Sequence, residues 1–301
     1  RGGMGSGYTM LKHVQENMPT QWMMFFRMAS AVLLMAIVFF PRLRRIRLRR
    51  YIVPGLILAL TYWLGFIFQL KGLETTSPGR NSFFTDTYCV MVPFVVWAFT
   101  RKRPSWQHLV AAFVCAFGIG LVSLSGGGGA ELMHMSFGDA MTIIGAFFFA
   151  LNLVLVGFIG KDFDAIALML AEFVWCALLF GAGAVLTEGG PSMAWARWDI
   201  VLCIAYLVIG STVIAQVFQT IAIQNLPTSE ASVILSTECI FAMLVSVIFT
   251  GETLTVPSLC GFALIFGAIL LSEIQLPPQN DSVAQRKAIR RTAPRFPPRS
   301  T

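Results

Sequence analysis

Nine apolar runs of helix length occupy most of this chain, at roughly 19–40, 51–75, 78–100, 105–124, 136–159, 163–187, 199–224, 228–250 and 255–275. About 20 residues at 1.5 Å rise cross the hydrocarbon core of a bilayer, so each run predicts a full membrane span. Residues 2–16 (GGMGSGYTMLKHVQE) read as the end of a tenth helix, clipped short. They lack the long apolar core of a cleavable signal peptide. The expected fold class is an all-α integral membrane protein of ten transmembrane helices, the first one truncated.

Composition agrees. The 301 residues are 56% hydrophobic and only 12% charged, and the mean hydropathy is +0.72. A soluble domain is about a quarter charged, so this chain has too few charges to coat a soluble surface. The net charge of +7 marks cytoplasmic loops of a membrane protein and implies no nucleic-acid partner. The expected partners are the lipid bilayer and a small-molecule substrate, with the oligomeric state open and a homodimer among the alternatives. The six cysteines (Cys89, Cys115, Cys176, Cys203, Cys239 and Cys260) all fall in apolar stretches without a CxxC pair, and the three histidines are scattered. No metal site, disulfide framework or cofactor is expected.

Charge sets the orientation. One set of alternate loops carries Arg42, Arg44, Arg45, Arg47, Arg49 and Arg50, then Arg101, Lys102 and Arg103, then Lys161. The opposite set carries Lys71, Arg80 and Arg197. Lys and Arg accumulate on the cytoplasmic side, which puts the arginine loops inside and the Gly126–Gly129 loop outside. Residues 277–301 are proline-rich and basic without an apolar face, and read as a disordered cytoplasmic tail.

The chain also repeats itself. A shift of 150 places Phe68-Gln69 on Phe218-Gln219, Ser82 on Ser232, Thr87 on Thr237, Cys89 on Cys239 and Phe99-Thr100 on Phe249-Thr250. After one residue of slip, Phe117-Gly118 falls on Phe266-Gly267 and Ser123 on Ser272. The order of these matches across three consecutive helices points to a duplication, with halves 1–124 and 136–275. Five helices per half force the second half to enter the membrane inverted, a transporter signature.

Two stretches carry a resemblance. TTSPGRNSFFTDTYCVMVPFVVWAFTRKRPSWQHLVAAFVCAFGIGLVSL resembles helices 4 and 5 of the EamA-type family in the drug/metabolite transporter superfamily. NLPTSEASVILSTECIFAMLVSVIFTGETLTVPSLCGFALIFGAILLSE resembles helices 9 and 10 of the same family, and GSGYTMLKHV with FFRMASA resembles its first helix end and second helix start. The family often has Glu-Pro where this chain has Glu238-Cys239, and Met4 replaces the usual aromatic. The resemblance implies export or exchange of small metabolites by alternating access, and no single substrate.

The residues themselves supply site candidates. Glu238 lies about 10 residues from either end of its run, roughly 15 Å deep. A lipid-facing carboxylate there costs about 2.5–3.5 kcal/mol, so it must face protein or a wet cavity, or take a proton. It serves either substrate contact or proton coupling, or else an interhelical hydrogen bond. Asp86 is the second acid, on one face with Ser82, Cys89 and Pro93 by helical spacing. Thr212, Gln216 and Gln219 share a face of one helix, and Tyr62, Phe66 and Gln69 share the repeat-equivalent face of another. These stripes are expected to line a substrate cavity, with Glu238 and Asp86 as proton-coupling acids. Arg27 and Glu172, both several residues deep, can pair, bind an anionic substrate or snorkel, and the resemblance, by matching Arg27 to the family's arginine near the start of its second helix, implies a structural role for it. An intramembrane enzyme would need a hydrolytic or metal constellation, and the chain has no HExxH, GxSxG or phosphate loop. A receptor would not need an inverted repeat. The reading is therefore a transporter and not an enzyme.

The charge bias predicts that the Arg42–Arg50 loop and the tail from Pro277 face the cytoplasm. A cysteine placed in the tail should resist labelling by an impermeant thiol reagent added to intact cells. Strong labelling from outside would reverse the orientation.

Overall fold

The computed structural model describes residues 14–15, 17–101, 103–124, 137–190, 197–217, 219–220 and 255–273. Residues 1–13, the Gly126–Gly129 loop, the run 228–250 with Glu238, and the tail lie outside the described residues. The described residues are helical, with no strand among them. The helices are α1 (Thr20–Val38), α2 (Ile52–Leu73), α3 (Pro78–Asp86), α4 (Tyr88–Thr100), α5 (Trp106–Leu124), α6 (Phe137–Ile159), α7 (Ala165–Thr187), α8 (Trp198–Tyr206) and α9 (Val256–Glu273). Among the described residues six helical stretches are long and apolar enough to cross a membrane, and two shorter apolar stretches lie in α5 and α9.

Two of the runs are less regular than their apolar pattern implies. The run 78–100 is divided at Thr87, whose hydroxyl donates to the Phe84 carbonyl at 2.6 Å. Such back-bonding competes with the helical ladder, and Pro93 in α4 has no N–H to donate to Cys89. The run 199–224 starts as α8 and then widens into a π-helix over Leu207–Ile214. There the Thr212 hydroxyl donates to the Leu207 carbonyl, five residues back, at 2.8 Å.

Small residues let the helices approach. α5 and α9 cross antiparallel, and a Cβ on Gly118 would lie 2.8 Å from the Gly261 carbonyl oxygen. α2 and α6 also run antiparallel, with Gly145 packed on the carbonyl of Gly65. Between helices in lipid no hydrophobic drive remains, so such close backbone contact supplies the packing energy.

The α1–α7 pair is tied at both ends. Pro19 leaves α1 without a side-chain cap of its own. Glu188, just past α7, accepts from the Gln21 backbone N–H at 2.9 Å and the Trp22 N–H at 3.1 Å. At the other end Asp164 caps α7 by accepting from the N–H groups of Ile166 and Ala167, both at 3.1 Å, and pairs with Arg42 at 2.6 Å. A carboxylate at a helix N-terminus satisfies orphan donors and complements the helix dipole. The two ties fix α1 and α7 as antiparallel. α2 runs parallel to α7, since Tyr51 receives the Asp164 N–H at one end while Trp63 meets Phe180 further along. Large apolar side chains such as Ile37, Phe113 and Leu186 face outward, as lipid contact requires.

At the α5–α9 crossing a larger residue has nowhere to go. Gly118→Leu should cost about 1–3 kcal/mol or more by overpacking, whereas Gly267→Ala, with nothing within 4 Å of the added carbon, should be near neutral. Thermal unfolding in detergent measures both. Equal midpoints for the two variants would refute the close crossing.

Candidate functional site

The midpoint of α2 is Tyr62, about 15 Å from either end of a 22-residue helix. A phenol at that depth cannot reach water and needs a partner. Gln216 supplies it: its amide Nε2 donates to the Tyr62 hydroxyl at 2.6 Å, joining α2 to the stretch after the π-helix. One turn earlier, inside the π-helix, Thr212 accepts a hydrogen bond from Arg27 Nε at 2.7 Å. The Arg27 guanidinium also lies over the Phe66 ring, 5.4 Å from its centroid, a cation–π contact. Phe66 in turn meets Tyr62 edge-on at 4.8 Å. Tyr62, Phe66, Thr212 and Gln216 thus form one cluster, and Arg27 links three helical segments through it.

Aromatic rings close the cluster. Phe149 of α6 lies 5.3 Å from Phe66 and 5.8 Å from Tyr62, and Phe173 of α7 stacks beside Tyr62 at 6.3 Å. Glu172, next to Phe173, accepts from Asn152 Nδ2 at 2.8 Å, and that amide also donates to the Leu58 carbonyl at 3.1 Å. Arg27 is 4% exposed and Glu172 6%. Both lie within electrostatic reach of Tyr62. Because α1 and α7 are antiparallel, the eighth residue of each helix falls in opposite halves of the bundle. The Tyr62 hydroxyl therefore sits between a cationic and an acidic side chain.

The other expected residues lie elsewhere. Gln69, two turns beyond Tyr62 on α2, donates to the Thr85 hydroxyl at 2.9 Å. Thr85 donates back to the Asn81 carbonyl, and Asn81 Nδ2 donates to Thr142 at 2.8 Å. Ser82 donates to the Gly79 carbonyl within α3 at 2.8 Å, and Asp86 ends α3, 6% exposed. Gln69, Thr85, Asn81 and Thr142 form a polar layer among α2, α3 and α6, closed by the Arg80–Asp139 ion pair at 2.6 Å. Gln219 is half-buried past the π-helix. A groove of about 350 Å³ opens between α1 and α8, but it is lined by apolar side chains including Phe26, Leu34 and Val208, with Ser30 as its hydroxyl. None of the expected site residues lines it.

Sequence reasoning missed Asn152, Phe149 and Phe173. Asn152 carried a signal, an amide inside an apolar run. Nothing singles out Phe149 and Phe173 among 26 phenylalanines.

The Tyr62–Gln216 bond gives a sharp test. Gln216→Leu leaves a buried phenol unpaired and should cost about 1–3 kcal/mol. Adding Tyr62→Phe removes the orphan hydroxyl and should recover most of that loss. Unfolding midpoints of the two single variants and the double variant measure the coupling, and strict additivity would contradict the bond.

The chain was compared with known proteins. The model of the EamA-like transporter family matches residues 3–124 and 136–274. An uncharacterized transporter of Archaeoglobus fulgidus is 26% identical over 222 residues, covering 74% of this chain and 69% of its own. A protein of known crystal structure superposes with a TM-score of 0.63 at 14% identity, over 88% of this chain and 94% of its own, a likeness of fold. With helical spans crossing the membrane several times and a family match over most of its length, the chain belongs to the EamA-like transporter family and is a multi-pass membrane transporter.

Proposed function

We propose that the protein exports or exchanges small metabolites, such as amino acids or amphipathic organic compounds, by alternating access. The observation that carries this reading is the mid-membrane cluster of Arg27, Tyr62, Phe66, Thr212 and Gln216, which joins α1, α2 and the segment after α8. Polar side chains at that depth are costly unless they serve a pathway or bind one another. Here they do the second, in an arrangement closed around Tyr62. Substrate entry then exchanges the internal hydrogen bonds for bonds to the ligand, so little is lost when the site fills. The aromatic rings give the apolar part of an amphipathic substrate a surface to stack on.

The alternating motion is assigned to two inverted halves, 1–124 and 136–275, with the tail in the cytoplasm. The helix pairings support it. An in-plane axis relating the halves pairs each helix with an oppositely directed copy, and α1–α7 and α5–α9 are both antiparallel. The axis also equates the α1–α8 contact with the α2–α7 contact, and both are parallel pairs.

Glu238 and Asp86 are assigned to proton coupling. Neutralising an acid lowers the cost of closing the site away from water, the step that alternating access needs. The test is flux into liposomes holding the purified protein, with a candidate amino acid as solute and an imposed pH gradient. Wild type should move the solute unchanged. Glu238→Gln and Asp86→Asn keep the shape of the protonated acid, and at least one should retain exchange while losing the pH dependence of net flux. If both variants keep it, the proton role is wrong. If the solute emerges chemically altered, the transporter reading gives way to an enzyme.

A further inference from the structure

The connection between α1 and α2 carries more than orientation. Residues 41–51 hold six arginines and no acid. Two of the six turn inward onto the start of α7: Arg42 pairs with Asp164 at 2.6 Å, and Arg50 lies over the Phe163 ring at 5.0 Å. Phe163 meets Tyr51 edge-on at 5.1 Å, and Leu43 and Tyr51 are buried. The loop is therefore a folded piece held at four points, a short helix over Phe40–Leu43 followed by a 3₁₀ turn over Leu48–Tyr51. The other four arginines, Arg44, Arg45, Arg47 and Arg49, are exposed, and among the described residues none of them has a side-chain ion pair or hydrogen bond.

We propose that this folded loop binds the phosphate headgroups of anionic phospholipids in the leaflet it borders. Four observations converge on that occupant. Two membrane-crossing helices deliver the loop to the headgroup layer, so lipid phosphate is the anion present there at highest density. The guanidinium fork matches phosphate oxygens two at a time, and a folded loop presents the four forks with part of the ordering cost already met. Apolar side chains border the arginines where acyl chains begin: Phe40 is 61% exposed, Leu48 46% and Val53 64%. The tail, expected on the same side, offers little competing anion, because residues 277–301 carry six Lys or Arg and a single acid, Asp281. Clusters of this size beside a membrane span are the pattern of anionic-lipid recognition.

The binding has a structural consequence. Arg42 and the four outward arginines belong to one short piece, and Arg42 holds the residue that caps α7. A bound headgroup layer steadies that piece and so the start of α7.

The test uses the full chain, purified in a neutral detergent and titrated with phosphatidylglycerol or phosphatidylcholine, with bound lipid counted by native mass spectrometry. Two double variants, Arg44→Gln/Arg45→Gln and Arg47→Gln/Arg49→Gln, each leave four arginines in the loop to preserve insertion. Arg101→Gln/Arg103→Gln, at two exposed arginines between α4 and α5, is the comparison. The expected result is preferential retention of phosphatidylglycerol by wild type, weakened by roughly 25-fold in each loop variant, since each of the two basic residues removed contributes roughly fivefold near an anionic surface. The comparison variant should keep most of the preference. The proposal is overturned if phosphatidylglycerol binds no better than phosphatidylcholine, if the loop variants bind it as wild type does, or if the comparison variant loses as much as they do. It is also overturned if glycerol phosphate alone displaces the lipid at equal concentration, because the site would then be one for free phosphate esters.

Discussion

A polar group inside hydrocarbon has to find its partner within the protein, and this requirement organises the bundle. Two carboxylates at the ends of one helix pair show how. Glu188 closes the N-terminus of α1 from the neighbouring helix, and Asp164 closes α7 while holding Arg42. Together they set the direction and the axial position of α1 against α7. Everything deeper inherits that alignment. Arg27 and Glu172 reach opposite halves because their helices run oppositely from the two ties, and Tyr62 is left between them. α2 follows, since it runs along α7 from Tyr51 to Trp63.

The central cluster then divides its work between two kinds of contact. Hydrogen bonds from Arg27 and Gln216 fix where the segment after α8 lies relative to α1 and α2. The rings of Phe66, Phe149 and Phe173 make the rest of the surroundings apolar. Low local dielectric strengthens the few polar contacts and raises the cost of leaving any of them open. α5 and α9 contribute differently. Their close antiparallel crossing contains no ion pair among the described residues, and it provides a firm packed unit against which α3 and α4 sit.

The apolar runs were legible in the sequence because hydropathy over 20 residues is a strong and local signal. α1, α2, α6 and α7 lie where those runs place them, give or take their ends. The pairing of Tyr62 with Gln216 was half legible: both residues stood out as polar groups on greasy helices, but a contact separated by 154 positions cannot be read from helical spacing. Arg27 was expected to be structural, and its setting was half legible in the same way. Its depth was visible, but its partner Thr212 was counted with a substrate stripe. Ser82 and Asp86 share one face by arithmetic, and Gln69 shares another with Tyr62 and Phe66, yet the break at Thr87 ends α3 at Asp86 and Gln69 bonds Thr85 instead of joining the Tyr62 cluster. Local hydroxyl-to-carbonyl bonds of this sort compete with the regular ladder, and they leave little trace in a hydropathy pattern.

The π-helix after α8 bears on how the chain can be read against itself. Each i→i+5 ring encloses one residue more than the ordinary helical ring. Over Leu207–Ile214 the chain therefore uses surplus length to cover the same rise that α2 covers with regular winding. For two halves read as copies, an alignment of α2 with α8 has to open a gap inside that stretch. The offset of 150 that matches Phe68-Gln69 to Phe218-Gln219 holds only beyond it. Before it, every correspondence moves back along the chain, so the equivalents of Tyr51 through Leu58 have to be sought at a smaller offset.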